Sequence, residues 1–70
     1  MKIEDGLLIG GRQHGRVCPI RPELMADNPP AWVEYNRDDY RRVAYGGYTV
    51  YVSTQVPALR TMTAIAEALK

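Results

Sequence analysis

The chain has 70 residues, which is enough for one domain. Its net charge of +1 argues against a dedicated duplex-DNA binder, and one cysteine excludes an internal disulfide. One cysteine and one histidine also cannot form the usual zinc site. We therefore expect residues 1–70 to form one domain of a reducing cytoplasm, without a metal or cofactor. The first residues lack a long apolar run, so neither a signal peptide nor a membrane span is predicted.

A first hairpin is predicted near the N-terminus. The apolar run 7–9 ends at two glycines, and a polar loop separates it from a second β-prone run, residues 16–20. Pro19 has no N–H for a strand ladder, so the second strand should lie at a sheet edge or end there. Residues 21–30 contain three prolines and an Asp-Asn pair, which predicts loop and turn.

The strongest strand signals follow. Residues 31–35 read as a strand and residues 36–39 as its turn. Residues 40–45 and 48–53 form a hairpin around Gly46-Gly47, since both central positions of a type I′ turn need positive φ.

A C-terminal helix is predicted from Pro57, which suits a first helical position, to about Leu69. The apolar residues expected to share its buried face are Leu59, Met62, Ile65, Ala66 and Leu69. The predicted fold is α+β: a small antiparallel sheet of four to five strands, with this one helix packed on one face.

The second hairpin supplies the main candidate binding surface. Its two-residue turn pairs Val43 with Val50 on the side expected to face the helix. Tyr40, Arg42 and Tyr51 fall on the opposite side, where we expect them to be exposed. Tyrosine and arginine are enriched at binding hot spots. The alternative is that these residues are ordinary cross-strand pairs that stiffen a small sheet.

Catalytic motifs are weak in this sequence. His14 and Cys18 are the one base–nucleophile pair to consider, and nothing in their spacing brings them together. We expect a surface histidine and a small buried cysteine, and hence no enzyme. The glycine-rich loop 10–15 lacks the Lys-Ser/Thr of a phosphate-binding loop, and no helix is predicted directly after it.

Short motifs across most of the chain resemble a group of small proteins from tailed phages and prophages. The matching segments are Leu8-Ile9-Gly10-Gly11, His14-Gly15, Tyr40-Arg41-Arg42 and Tyr48-x-Val50-Tyr51-Val52. Those proteins open with an apolar run and Gly-Gly-Pro-x-Asp-Gly, and they end in a Tyr-rich strand pair. Here Arg12 stands in place of the proline and His14 in place of the aspartate. The resemblance implies a phage or prophage origin and assigns no catalytic residue.

The leading hypothesis is a phage or prophage accessory protein that binds a host or phage protein in the host cytoplasm. Its candidate binding residues are Tyr40, Arg42 and Tyr51, with the His14 loop second. One alternative is a single-stranded nucleic-acid-binding module that stacks bases on the same tyrosines. Another is a virion structural component that assembles through the edge near Pro19. The sequence leaves the partner and the oligomeric state open.

Overall fold

The computed structural model describes residues 3–18 and 29–70 as one sheet with a C-terminal helix. The sheet contains β1 (Leu7–Ile9), β2 (Trp32–Tyr35), β3 (Asp38–Tyr45) and β4 (Tyr48–Ser53) in the order β1-β4-β3-β2. A 3-10 turn, Ala58–Arg60, leads into the helix α1, Thr61–Ala68. The predictions made for Pro19, Ile20 and residues 21–28 lie outside the described residues.

Two tight turns set the antiparallel part of the sheet. Gly46 and Gly47 adopt φ of 57° and 84°, and the ladder from Tyr45↔Tyr48 to Tyr40↔Ser53 confirms the predicted register. Asn36 and Arg37 also adopt positive φ, 49° and 70°. The turn predicted over residues 36–39 is therefore a two-residue turn, and β3 begins at Asp38, inside that predicted turn.

The N-terminal strand joins the sheet differently from the prediction. β1 pairs in parallel with β4, and the described part of its expected hairpin partner, residues 16–18, forms one bridge, Leu7↔Val17. All three residues of β1 are buried, so this strand has apolar side chains covered on both faces, as in parallel sheets. The sheet is thus mixed, while the predicted α+β fold with four to five strands and a C-terminal helix is confirmed.

The helix packs on the sheet with only part of its predicted apolar face, the buried Ile65 and the partly buried Leu69. Ile65 is buried, but Leu59 is 99% exposed and Met62 is 56% exposed; Ala66 is exposed as well. Leu59 lies in the 3-10 turn, whose three residues per turn put it out of phase with the α-helical face. Within the described ranges, no helix is long and apolar enough to cross a membrane.

Both faces of the sheet carry a core. The helix-side cluster consists of the buried residues Leu7, Ile9, Val50, Val52 and Ile65. The tyrosine-side cluster consists of Leu8, Cys18, Tyr40 and Tyr51. This two-sided burial decides which of the candidate side chains can reach a partner.

Candidate functional site

The predicted binding face of the second hairpin is covered in the structure. Tyr40 and Tyr51 are both 0% exposed, so the expectation that they form an open surface is wrong. Leu8 of β1 and Cys18 pack on the same side and close it. Arg42 stays exposed beside Tyr51, and its guanidinium donates a hydrogen bond to the carbonyl of Pro29. The tyrosine rings therefore cannot stack bases or contact a partner in this conformation.

The tyrosine hydroxyls anchor loops. The Tyr40 hydroxyl donates to the Gly10 carbonyl at 3.0 Å and accepts the Gln13 N–H at 3.3 Å. The Tyr51 hydroxyl donates to the Pro30 carbonyl at 2.7 Å. Both phenols therefore combine apolar burial with a satisfied polar tip, which is the usual arrangement for a buried tyrosine. These two candidate residues stabilise the fold.

Burial predicts a loss of stability at alkaline pH. Burial raises the pKa of the phenols of Tyr40 and Tyr51, and Cys18 raises that of Tyr51 further, against a lowering by Arg42. The folded state then holds protons that the unfolded chain releases above about pH 10. The stabilisation of the fold by these protonated phenols is complete below the pKa that they have in the unfolded chain. It is lost as the pH rises through their higher pKa in the folded state. Urea unfolding midpoints should therefore fall above about pH 10.

Tyr51→Phe provides the control for that decline. The variant also loses the hydrogen bond to Pro30, so the comparison is between slopes and not between absolute midpoints. We expect a shallower fall of the midpoint with pH in Tyr51→Phe than in the parent chain. Equal slopes would show that Tyr51 does not contribute to the alkaline loss.

His14 and Cys18 lie on opposite sides of the sheet. The imidazole Nδ1 of His14 accepts the Gly10 N–H at 2.8 Å, so the proton of the neutral ring is on Nε2. An open groove of about 240 Å³ runs beside His14, and its lining is Ile9, Gly10, His14, Ala64, Glu67 and Ala68. Cys18 is instead buried in the tyrosine-side cluster, and burial raises the pKa of its thiol. The structure does not bring this pair together.

The outer edge of β2 offers hydrogen-bonding groups. Ala31 and Arg42 form a hydrogen-bonded pair, with the Arg42 N–H donating to the Ala31 carbonyl at 2.9 Å. Because such pairs alternate along an antiparallel ladder, the backbone groups of Trp32 and Glu34 point away from β3. No strand among residues 3–18 and 29–70 pairs with that edge. Two donors and two acceptors are thus directed outward.

Trp32 makes this edge a candidate contact site. It pairs with Arg41, which pairs with Val52, so Trp32 lies on the helix side of the sheet. Its side chain is 62% exposed and belongs to neither apolar cluster. Sequence reasoning missed Trp32 because it treated residues 31–35 only as a strand. The available signal was a single tryptophan two residues before a glutamate in a short strand.

Comparisons with known proteins assign neither a family nor a function to the chain. No protein-family model, curated protein or solved structure matches the chain. Among the described residues, no group of three or more His, Cys, Asp and Glu side chains is placed to hold a metal ion. The chain's own geometry therefore carries the functional argument.

Proposed function

We propose that this chain is a small phage or prophage accessory protein that acts by binding another protein, not by catalysis. It takes an extended segment of that protein at the outer edge of β2, in the host cytoplasm. The observation that carries the proposal is Trp32, 62% exposed on a strand with outward-pointing backbone groups.

Strand addition suits this edge. In such complexes the main-chain hydrogen bonds give affinity and the side-chain contacts give specificity. Tryptophan is among the residues most enriched at binding hot spots. Edge strands that must stay unpaired are often protected by lysine or proline, and β2 contains neither.

The nucleic-acid alternative loses its main support. It required Tyr40 and Tyr51 as stacking platforms, and both rings are fully buried. Arg42 remains exposed on that face but supplies no aromatic ring. Protein binding at β2 does not depend on either tyrosine ring.

A random library of short peptides tests the proposal. Peptides selected against the chain should shift the backbone amides of Trp32 and Glu34 in NMR spectra. Glu34→Pro should abolish binding, because it removes an outward N–H while leaving the ladder to β3 intact. Leu59→Ala, a change at a fully exposed helical position, should bind as the parent does.

Two results would contradict the proposal. Selected peptides could shift amides of α1 and not of β2, or they could bind Glu34→Pro as tightly as the parent chain. Dispersed methyl signals from the helix-side cluster would show that Glu34→Pro is folded.

A further inference from the structure

We infer that the partner segment is basic: it adds to β2 as a strand and places a lysine or arginine opposite Glu34. This inference rests on the proposed docking at β2 and names the chemistry of its occupant. It follows from the hydrogen-bonding pattern of the edge and from the charges beside it.

The hydrogen-bonding pattern of the β2 edge determines which residues of an added strand lie opposite Trp32 and Glu34. An added strand bonds to the outward groups of Trp32 and Glu34, and residues directly opposite share a face. The partner residues opposite these two therefore lie on the helix side of the sheet, as Trp32 and Glu34 do. A basic side chain opposite Glu34 would also have Trp32 as a diagonal neighbour, within reach of a long side chain.

Two carboxylates lie opposite each other at this place. Glu34 pairs directly with Asp39, and the ladder makes this a non-hydrogen-bonded pair, whose Cα atoms are typically about 4.5 Å apart. Both residues are exposed, and within the described ranges neither lies in an ion pair. Like charges in such a position destabilise a sheet. A cation on an added strand would remove this repulsion.

The nearest arginine on the same face of β3 is already engaged. The Arg41 guanidinium donates to the carbonyls of Ser53 and Val56 at 3.1 and 3.2 Å. It also donates to the Thr61 hydroxyl at 2.6 Å. These bonds hold Arg41 at the connection between β4 and the helix. Arg41 is therefore not available to compensate Glu34 and Asp39.

Trp32 adds a second reason for a basic partner. A lysine or arginine can place its cation over an indole ring while its alkyl stem covers apolar surface. Trp32 and Glu34 are two residues apart on one face, so one basic side chain can reach both. The exposed ring and the two carboxylates favour the same class of side chain.

A second copy of this chain fits the edge less well. In a two-fold antiparallel pairing, the outward groups bond when Trp32 of one copy lies opposite Glu34 of the other, with Val33 on the axis. That arrangement brings a second Glu34–Asp39 pair to the same edge. Charge therefore favours a basic partner over self-association.

Two matched peptides test the inference. One capped peptide alternates valine with lysine, and the other has glutamate in place of each lysine. Trp32 is the only tryptophan, so its fluorescence reports binding at the edge. We expect the lysine peptide to bind at least about tenfold more tightly at low salt, with the preference shrinking as salt rises.

Variants separate charge from backbone pairing. Glu34→Gln and Asp39→Asn should each weaken the lysine peptide roughly two- to fivefold, the range for exposed ion pairs. Glu34→Gln keeps the outward N–H that Glu34→Pro removes, so these two form a matched pair. The double variant Glu34→Lys/Asp39→Lys should reverse the preference toward the glutamate peptide.

The failures of the two proposals are distinguishable. Equal binding of both peptides, lost in Glu34→Pro, would overturn the basic partner and leave docking at β2 standing. Binding that survives Glu34→Pro, or no binding of either peptide, would overturn both. A dimer in light scattering that Glu34→Pro dissociates would make a second copy the occupant and overturn the inference.

Discussion

Ile65→Ala should lower the free energy of unfolding by about 2–5 kcal/mol, the usual cost of emptying a fully buried aliphatic site. Ile65 is 0% exposed and is the one buried residue that α1 contributes to the helix-side cluster. A chain of this size has about 4–10 kcal/mol of stability, so the change removes a large part of it. The melting temperature should fall by about 10 °C or more.

Leu59→Ala is the matched control for that result. Leu59 is 99% exposed, so its truncation should change the free energy of unfolding by no more than about 0.5 kcal/mol. Urea denaturation of both variants gives the comparison. A similar loss in the two variants would show that Leu59 packs on the protein and that the helical face is assigned wrongly.

Gly11→Ala should destabilise the chain by about 2–4 kcal/mol, from backbone strain and a lost polar contact. Gly11 adopts φ of 68°, where an L side chain is strained. A methyl group there would lie 2.8 Å from the Tyr40 hydroxyl and 3.2 Å from the Ser53 hydroxyl. The Tyr40 ring is buried and its hydroxyl makes two hydrogen bonds, so it cannot move without breaking them.

Gly46→Ala isolates the backbone part of this effect. Gly46 adopts φ of 57°, but nothing lies within 4 Å of an added methyl group. Its substitution should cost only the conformational strain, about 1–2 kcal/mol. Equal losses for Gly11→Ala and Gly46→Ala in urea denaturation would show that the loop is not held against Tyr40.

Local chemistry made part of the fold predictable. Gly46-Gly47 specifies a two-residue turn, and that turn alone sets every pairing from Tyr45↔Tyr48 to Tyr40↔Ser53. The helix was recognisable from its period. Which of its apolar residues are buried was not: Leu59 falls in the 3-10 turn before Thr61, and Met62 and Ala66 are exposed on the helix.

The candidate site also combines features that local sequence predicts with features that depend on distant contacts. Alternation placed Tyr40, Arg42 and Tyr51 on one side of the hairpin correctly, but it could not say whether that side was covered. Its cover comes from Leu8 and Cys18, which are distant in sequence. Trp32 was unassigned because its exposure depends on the place of β2 at the end of the described sheet and on the helix-side cluster not including it.

The sequence by itself determined the α+β class, the register of the second hairpin and the presence of a C-terminal helix. These follow from residues close together in the chain, through turn geometry and side-chain periodicity. The tertiary structure decided that β1 lies parallel to β4, that each sheet face carries a buried core and that no strand of residues 3–18 and 29–70 pairs with the outer edge of β2. Each of these depends on contacts between distant segments, which side-chain alternation along one strand does not encode.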